Sequence, residues 1–472
     1  MEVDVATPQP NGWRERDARQ SMALVLAFVA LTEFLPAEPF LQDFMISKGF
    51  SNEEIYDSVL DLYIYFRFPA ILGVGFLAEY LGSAPVLFIG AVFGFATVAM
   101  TTWAKSLWVL QVTQLTVSLS TATHMGALFA LVLEITEETS RTWQTHVFWT
   151  KAALLLANFA AGLVGSMLRY EFHVHLFHIS EVTLITQGLS AVIAAVLLWR
   201  RGCKPRCRPC RKLWAMTWNS FRQRGVSRWT LWSILTHTVH VMVATYWTAL
   251  ARAKTGRQNN SNGYANSACY LLGGVALFGL SDAKVLSVRD HRWWMVSSMF
   301  ILSGLLVILM GASPLLGEVY VWYILYQLVF RIGSAISTQQ VGAEVQEVFM
   351  PPSRAGSAYN IAPGAVLHPL QDDLNGQSAS QSDTGDTGDS RPPFALLLNM
   401  TEVLGSGVQV LVQYVFKHPE ILGERTIPMA DRFMILGSVS GTAGLLYMFI
   451  FDGPMSLASL VKARRSVVVE RG

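Results

Sequence analysis

Two glutamates flank a proline in Thr32-Glu33-Phe34-Leu35-Pro36-Ala37-Glu38-Pro39-Phe40, inside an otherwise apolar run. A polar or ionised side chain at bilayer depth costs several kcal/mol unless it faces protein or water. Each such residue is therefore a functional hypothesis. The test picks out Glu33, Glu38, Arg67, Gln114, His124 and Lys151 in the first half of the chain, and His237, His240, Asp282, Arg331, Glu344 and Glu402 in the second.

The chemistry differs from site to site. The two prolines remove backbone donors and break the first helix, so Glu33 and Glu38 belong either to a bent gate or binding element, or to a helix that simply ends at Leu35 and leaves Glu38 solvated. Gln114 and His124 stand ten residues apart, about 15 Å along a helix and on nearly one face, so one stripe can point both into a cavity. Imidazole is the side chain that can change charge near physiological pH, so a histidine at 124 permits proton linkage. Arg331 cannot shed its proton and needs a carboxylate or an anionic substrate; Glu402 and Glu344 are candidate partners by charge alone. Gln409, Ser406 and Gly405 offer further polar or small positions on the same span as Glu402.

The elements that must position these residues are apolar spans. Roughly 22–41, 59–81, 84–104, 106–134, 142–168, 181–199, 229–251, 264–288, 294–315, 318–348, 394–416 and 432–452 are each long enough to cross a bilayer. The chain is 52% hydrophobic and 14% charged, too apolar for a soluble fold. The net charge of +2 implies no nucleic-acid partner. The expected fold is an all-α, multi-pass membrane protein with twelve transmembrane helices in two six-helix bundles.

A linker at 200–228 carries ten Lys or Arg and no Asp or Glu. Basic residues accumulate on the cytoplasmic side, which places this linker, the N-terminal segment 1–21 and the tail 453–472 in the cytoplasm. The bundles are then 22–199 and 229–452. No cleavable signal peptide is expected, because the first apolar run is long enough to span. Residues 350–392, rich in Pro, Gly, Ser and Asp, should form a disordered cytoplasmic loop. Asn259-Asn260-Ser261 is a glycosylation pattern that makes sense only outside.

Cys203, Cys207 and Cys210 fit S-acylation beside a membrane better than zinc, for which a fourth ligand is missing. No metal or cofactor is expected. Gly90-x-x-x-Gly94 marks close helix approach. Asp282 with Asp57 or Asp61 is only a loose echo of a membrane aspartyl protease, and the chain reads as no enzyme.

Six plus six spans around a basic linker is the layout of major facilitator carriers, whose halves enclose a cavity. Gly75-Phe-Leu-Ala-Glu79-Tyr-Leu-Gly82 resembles a degenerate form of their signature, in which an acidic residue such as Glu79 pins helix ends. Ala37-Glu38-Pro39-Phe40, Ala78-Glu79-Tyr80, Pro85-Val86-Leu87, Leu328-Val-Phe-Arg331 and Phe394-Ala-Leu-Leu, in that order, resemble the reduced folate carrier and thiamine transporter family, solute carrier family 19.

The resemblance implies vitamin uptake by alternating access, at a site of Glu38, Tyr63, Gln114, His124, Arg331 and Gln409. Gating or coupling falls to Glu33, Glu79, Lys151 and Glu402. Arg331 matches the folate carrier, whereas Gln409 matches the thiamine carriers. Glu38 and Tyr63 would suit a thiazolium. The expectation leans to thiamine or a related cationic heterocycle. Reduced folate, or a transport-dead sensor on the same fold, stays open. The expected partners are the vitamin, a coupling proton or an exchanged anion, and the bilayer, most simply the plasma membrane.

Overall fold

A computed structural model describes residues 12–51, 54–55, 59, 61–139, 142–203, 209–255, 261–281, 292–349, 393–418 and 427–452. The expected loop 350–392, Asp282, Asp57, Cys207, Asn259-Asn260 and the tail 453–472 lie outside the described residues.

The first half consists of α1 (Gly12–Glu33), α2 (Leu41–Ser47), α3 (Asp61–Leu81), α4 (Ser83–Trp103), α5 (Leu107–Thr136), α6 (Trp143–Ser166) and α7 (Leu176–Arg201). The linker forms α8 (Cys210–Arg222). The second half consists of α9 (Arg224–Thr255), α10 (Ser261–Leu280), α11 (Arg292–Ala312), α12 (Leu316–Phe349), α13 (Phe394–Lys417) and α14 (Met429–Tyr447). Among the described residues, nine helices are long and apolar enough to cross a membrane. The other three expected spans coincide with α3, α9 and α11.

The packing repeats from one half to the other. Within the first half α1 packs on α6 and α7, α3 on α5, and α4 on α5 and α7. Six spans later α9 packs on α13 and α14, α10 on α12, and α11 on α12 and α14. The seams between halves obey the same exchange: α3 with α13 mirrors α10 with α6, and α5 with α13 mirrors α12 with α6. The molecule is thus a helical membrane protein of two repeated bundles. Apolar stripes face outward, as lipid requires: Ile185, Leu189 and Val192 on α7, and Ile435, Val439 and Leu446 on α14, are exposed.

Close approaches are made at glycine. Gly90 and Gly94 of α4 receive Thr123 and Ser120 of α5, the short separation anticipated for that pair. Gly126 of α5 lies against Asn399 and the Ala395 carbonyl of α13, where a Cβ would sit 2.8 Å from that oxygen.

The hydrogen bonds between halves run from mid-depth to the end that carries the linker. Asn399 Nδ2 donates to the Ile71 carbonyl at 2.9 Å. Trp143 Nε1 donates to the Gln339 carbonyl at 3.1 Å, and Gln339 Nε2 to Gln144 Oε1 at 3.2 Å. Trp149 Nε1 reaches Ser281 Oγ at 3.2 Å. On α8, Leu213 is buried in a cluster with Leu396 and Met400 of α13 and with Leu72 and Phe76 of α3, so this helix straddles the seam. The linker end is therefore shut.

Gly126→Val should pry it open. Overpacking at a seam costs about 1–3 kcal/mol, enough to repopulate a state in which α5 and α13 part. Spin labels at the linker ends of α3 and α13 are expected to report longer separations in this variant; an unchanged distance distribution would contradict it.

Candidate functional site

The proline break in the first span is held, not loose. After α1 ends at Glu33, a 3-10 turn, Glu38–Phe40, leads into α2. Pro36 leaves carbonyls without helical donors, and α7 supplies them. Gln187 Nε2 donates to the Thr32 carbonyl at 2.7 Å, Thr186 Oγ1 to the Phe34 carbonyl at 3.0 Å, and Ala37 N to Thr183 Oγ1 at 3.1 Å. Gly165 of α6 presses on the Pro36 carbonyl. The break is a rigid part of the first half, and it fixes Glu33.

Glu33 meets His124, with Oε1 3.3 Å from Nδ1 and both side chains 19% exposed. Asn158 Nδ2 of α6 donates to Glu33 Oε2 at 2.9 Å. Glu38 is exposed, within electrostatic range of Glu33 and of Tyr270 on the opposite half.

Two cations stand at the seam between the halves, Lys151 on the first and Arg331 on the second. Lys151 of α6 donates to the Ser334 carbonyl and Oγ, both at 3.0 Å, and to Thr338 Oγ1 at 2.8 Å. All three acceptors are neutral. Arg331 of α12 lies over the Tyr270 ring, 4.5 Å from its centroid, and its buried Nε has no acceptor among the described residues. It is within electrostatic range of Glu33, Lys151 and His240. His240 stacks on Phe330 at 3.7 Å between centroids, and its buried Nδ1 is also without a partner among the described residues.

The carboxylate suggested for Arg331 by charge balance is taken elsewhere. Glu402 of α13 pairs with Arg67 of α3, because the α3–α13 seam brings those two to one depth while Arg331 projects from α12. Glu344 instead lies against Gly225 at the start of α9. Arg67 also sits 5.5 Å from the Tyr63 ring centroid, so one face of that ring is already met by a cation.

The remaining candidates are spread out. Gln114 is buried, and its amide donates to Thr113 Oγ1 at 3.1 Å within its own helix, apart from the Glu33–His124 pair. Gln409 is buried on α13. Glu79 is buried near the linker end, where its Oε1 accepts from the Ala395 amide at 3.0 Å. A carboxylate there satisfies an otherwise orphaned donor of the α13 N-terminus and joins the halves. Cys203 and Cys210 are exposed beside the linker.

Two participants were not anticipated. Asn158, an amide in an apolar span, was detectable by the same cost argument as the charges. Tyr270 had no signal, since a membrane tyrosine has many ordinary roles.

A family model described as "Reduced folate carrier" matches residues 18–203 and 200–351. The chain belongs to the reduced folate carrier family. Among the carrier's relatives, Folate-like transporter 3 of Caenorhabditis elegans is 21% identical over 349 residues, covering 67% of this chain and 80% of that protein. The Reduced folate transporter of Mus musculus is 20% identical over 390 residues, covering 72% of this chain and 73% of that one. Among solved structures, the human organic anion transporter MFSD10 (TETRAN) superposes with a TM-score of 0.58 at 13% identity, covering 94% of this carrier and all of that chain. That likeness establishes the major facilitator fold. Family and fold are those of transporters and not of enzymes.

Proposed function

We propose that this carrier is a secondary active transporter that takes up an anionic, water-soluble vitamin of the reduced-folate class by alternating access. The carrying observation is the pair Arg331 and Lys151, two mid-depth cations with no carboxylate in salt-bridge contact among the described residues. Lys151 meets only neutral acceptors, and the buried Nε of Arg331 meets none among the described residues; a buried cationic donor without an acceptor is costly, and a carboxylate-bearing substrate would offset that cost. The names of the relatives point to the same class. In this reading twelve helices cross the plasma membrane, both termini and the linker are cytoplasmic, and the structure is the outward-facing state, shut on the cytoplasmic side.

One observation favours a second reading, uptake of thiamine or another cationic heterocycle: Glu38 is exposed and within electrostatic range of Tyr270 on the opposite half. Against it, Glu33 is engaged by His124 and Asn158, and Tyr63 shares its ring with Arg67.

Competition decides between them. In cells expressing the carrier, unlabelled 5-methyltetrahydrofolate is expected to block uptake of its tritiated form, and excess thiamine is not. Thiamine uptake that is insensitive to folate and lost in Glu38→Gln would replace the first reading with the second. Saturable binding without accumulation would make the protein a sensor.

A further inference from the structure

We infer that Glu33 and His124 form a proton site that couples this carrier to a pH gradient, one proton entering with each substrate anion. The inference rests on the reading that Arg331 and Lys151 hold the anion. It adds what drives the cycle.

The pair is built for one transferable proton. His124 Nδ1 faces Glu33 Oε1 at 3.3 Å, Asn158 holds the other carboxylate oxygen, and Phe28 covers the imidazole edge-on. Both side chains keep partial exposure, so water can deliver and remove the proton. The charged and titratable neighbours come from every side. Glu38 lies beyond the break, Tyr270 is on α10 and Arg331 on α12, with Lys151 of α6 in turn within range of Arg331. On α7 the facing groups are the neutral Thr183, Thr186 and Gln187. On α3, Arg67 is committed to Glu402.

Charge counting gives the coupling. With His124 protonated and Glu33 ionised the pair is neutral, and the two cations attract an anion undiminished. Loss of the proton leaves Glu33 as a net negative charge within range of Arg331, which weakens that attraction. Proton and anion therefore bind cooperatively, and linkage makes the effect reciprocal. Glu33 is tied into the first half by the α7 bonds, whereas Arg331 rides on the second. Rocking of the halves changes their separation, so both ligands are released together. Only an N–H bond of the imidazole forms and breaks, and water accepts the proton at the other side.

The test uses purified carrier in sealed liposomes, tritiated 5-methyltetrahydrofolate outside and a pH dye inside. Wild type is expected to show kcat/KM about tenfold higher with the outside at about pH 5.5 than at about pH 7.5, with lumenal acidification that follows uptake. His124→Gln and, independently, Glu33→Gln should give a flat pH profile and no acidification, whatever their absolute rates. Uptake that needs Arg331 yet keeps the wild-type pH profile in both variants overturns the coupling and spares the anion reading. No folate uptake by wild type at either pH overturns both.

Discussion

Arg331→Gln should cost the carrier one to two orders of magnitude in kcat/KM for tritiated 5-methyltetrahydrofolate, at unchanged abundance in the membrane. A hydrogen bond to a charged group is worth about 1.5–3 kcal/mol, and each 1.4 kcal/mol is a factor of about ten. Arg331 has the geometry to make more than one such bond, because its guanidinium lies over Tyr270 with a buried Nε that meets no protein acceptor among the described residues. Arg331→Lys keeps the charge but loses the flat fork and its ring contact, so it should recover only part of the activity. Uptake at the wild-type level in Arg331→Gln would remove this residue from the site and with it the main support for an anionic substrate.

The largest effect on stability is expected at the seam between bundles. Arg67 and Glu402 are an ion pair joining α3 to α13, with side chains 18% and 7% exposed. Removing one partner strands the other charge in a poorly solvated place, at a cost of about 3–5 kcal/mol. Glu402→Ala should therefore lower the thermal midpoint in detergent sharply. The double variant Arg67→Met with Glu402→Leu should regain most of the loss, because an apolar pair leaves no charge uncompensated. Single and double variants that melt alike would show the pair to be energetically idle. The same pair bears on gating. It lies at mid-depth, where the inter-half hydrogen bonds toward the linker end begin.

How far these sites could be read before the fold was known varies by residue. Glu33, His124, Arg331, Lys151 and Glu402 all stood out, because charge in an apolar run is costly wherever the helix ends up. Their partners did not, since partnership depends on depth and azimuth, which spacing fixes within a helix but not between helices. Charge balance offered Glu402 to Arg331, and the seam gave it to Arg67. The break at Pro36 was legible from proline chemistry alone. Its rigidity was not, because the partners that satisfy it, the donors Thr186 and Gln187 and the acceptor Thr183, come about 150 positions later in the chain. Gln114 shows the opposite failure: its helical face suited a cavity, and local bonds to Thr113 and Leu110 absorbed its amide. The linker was recognisable as basic. Its role as a helix straddling α3 and α13 through Leu213 needed the packing.

Counterflow tests the account most directly. Liposomes holding the purified carrier and loaded with unlabelled 5-methyltetrahydrofolate should draw in the tritiated compound transiently above equilibrium, and liposomes with Arg331→Gln should not. An equal overshoot in both preparations, or tritiated thiamine overshooting in place of folate, would contradict a carrier that grips its cargo by mid-membrane cations.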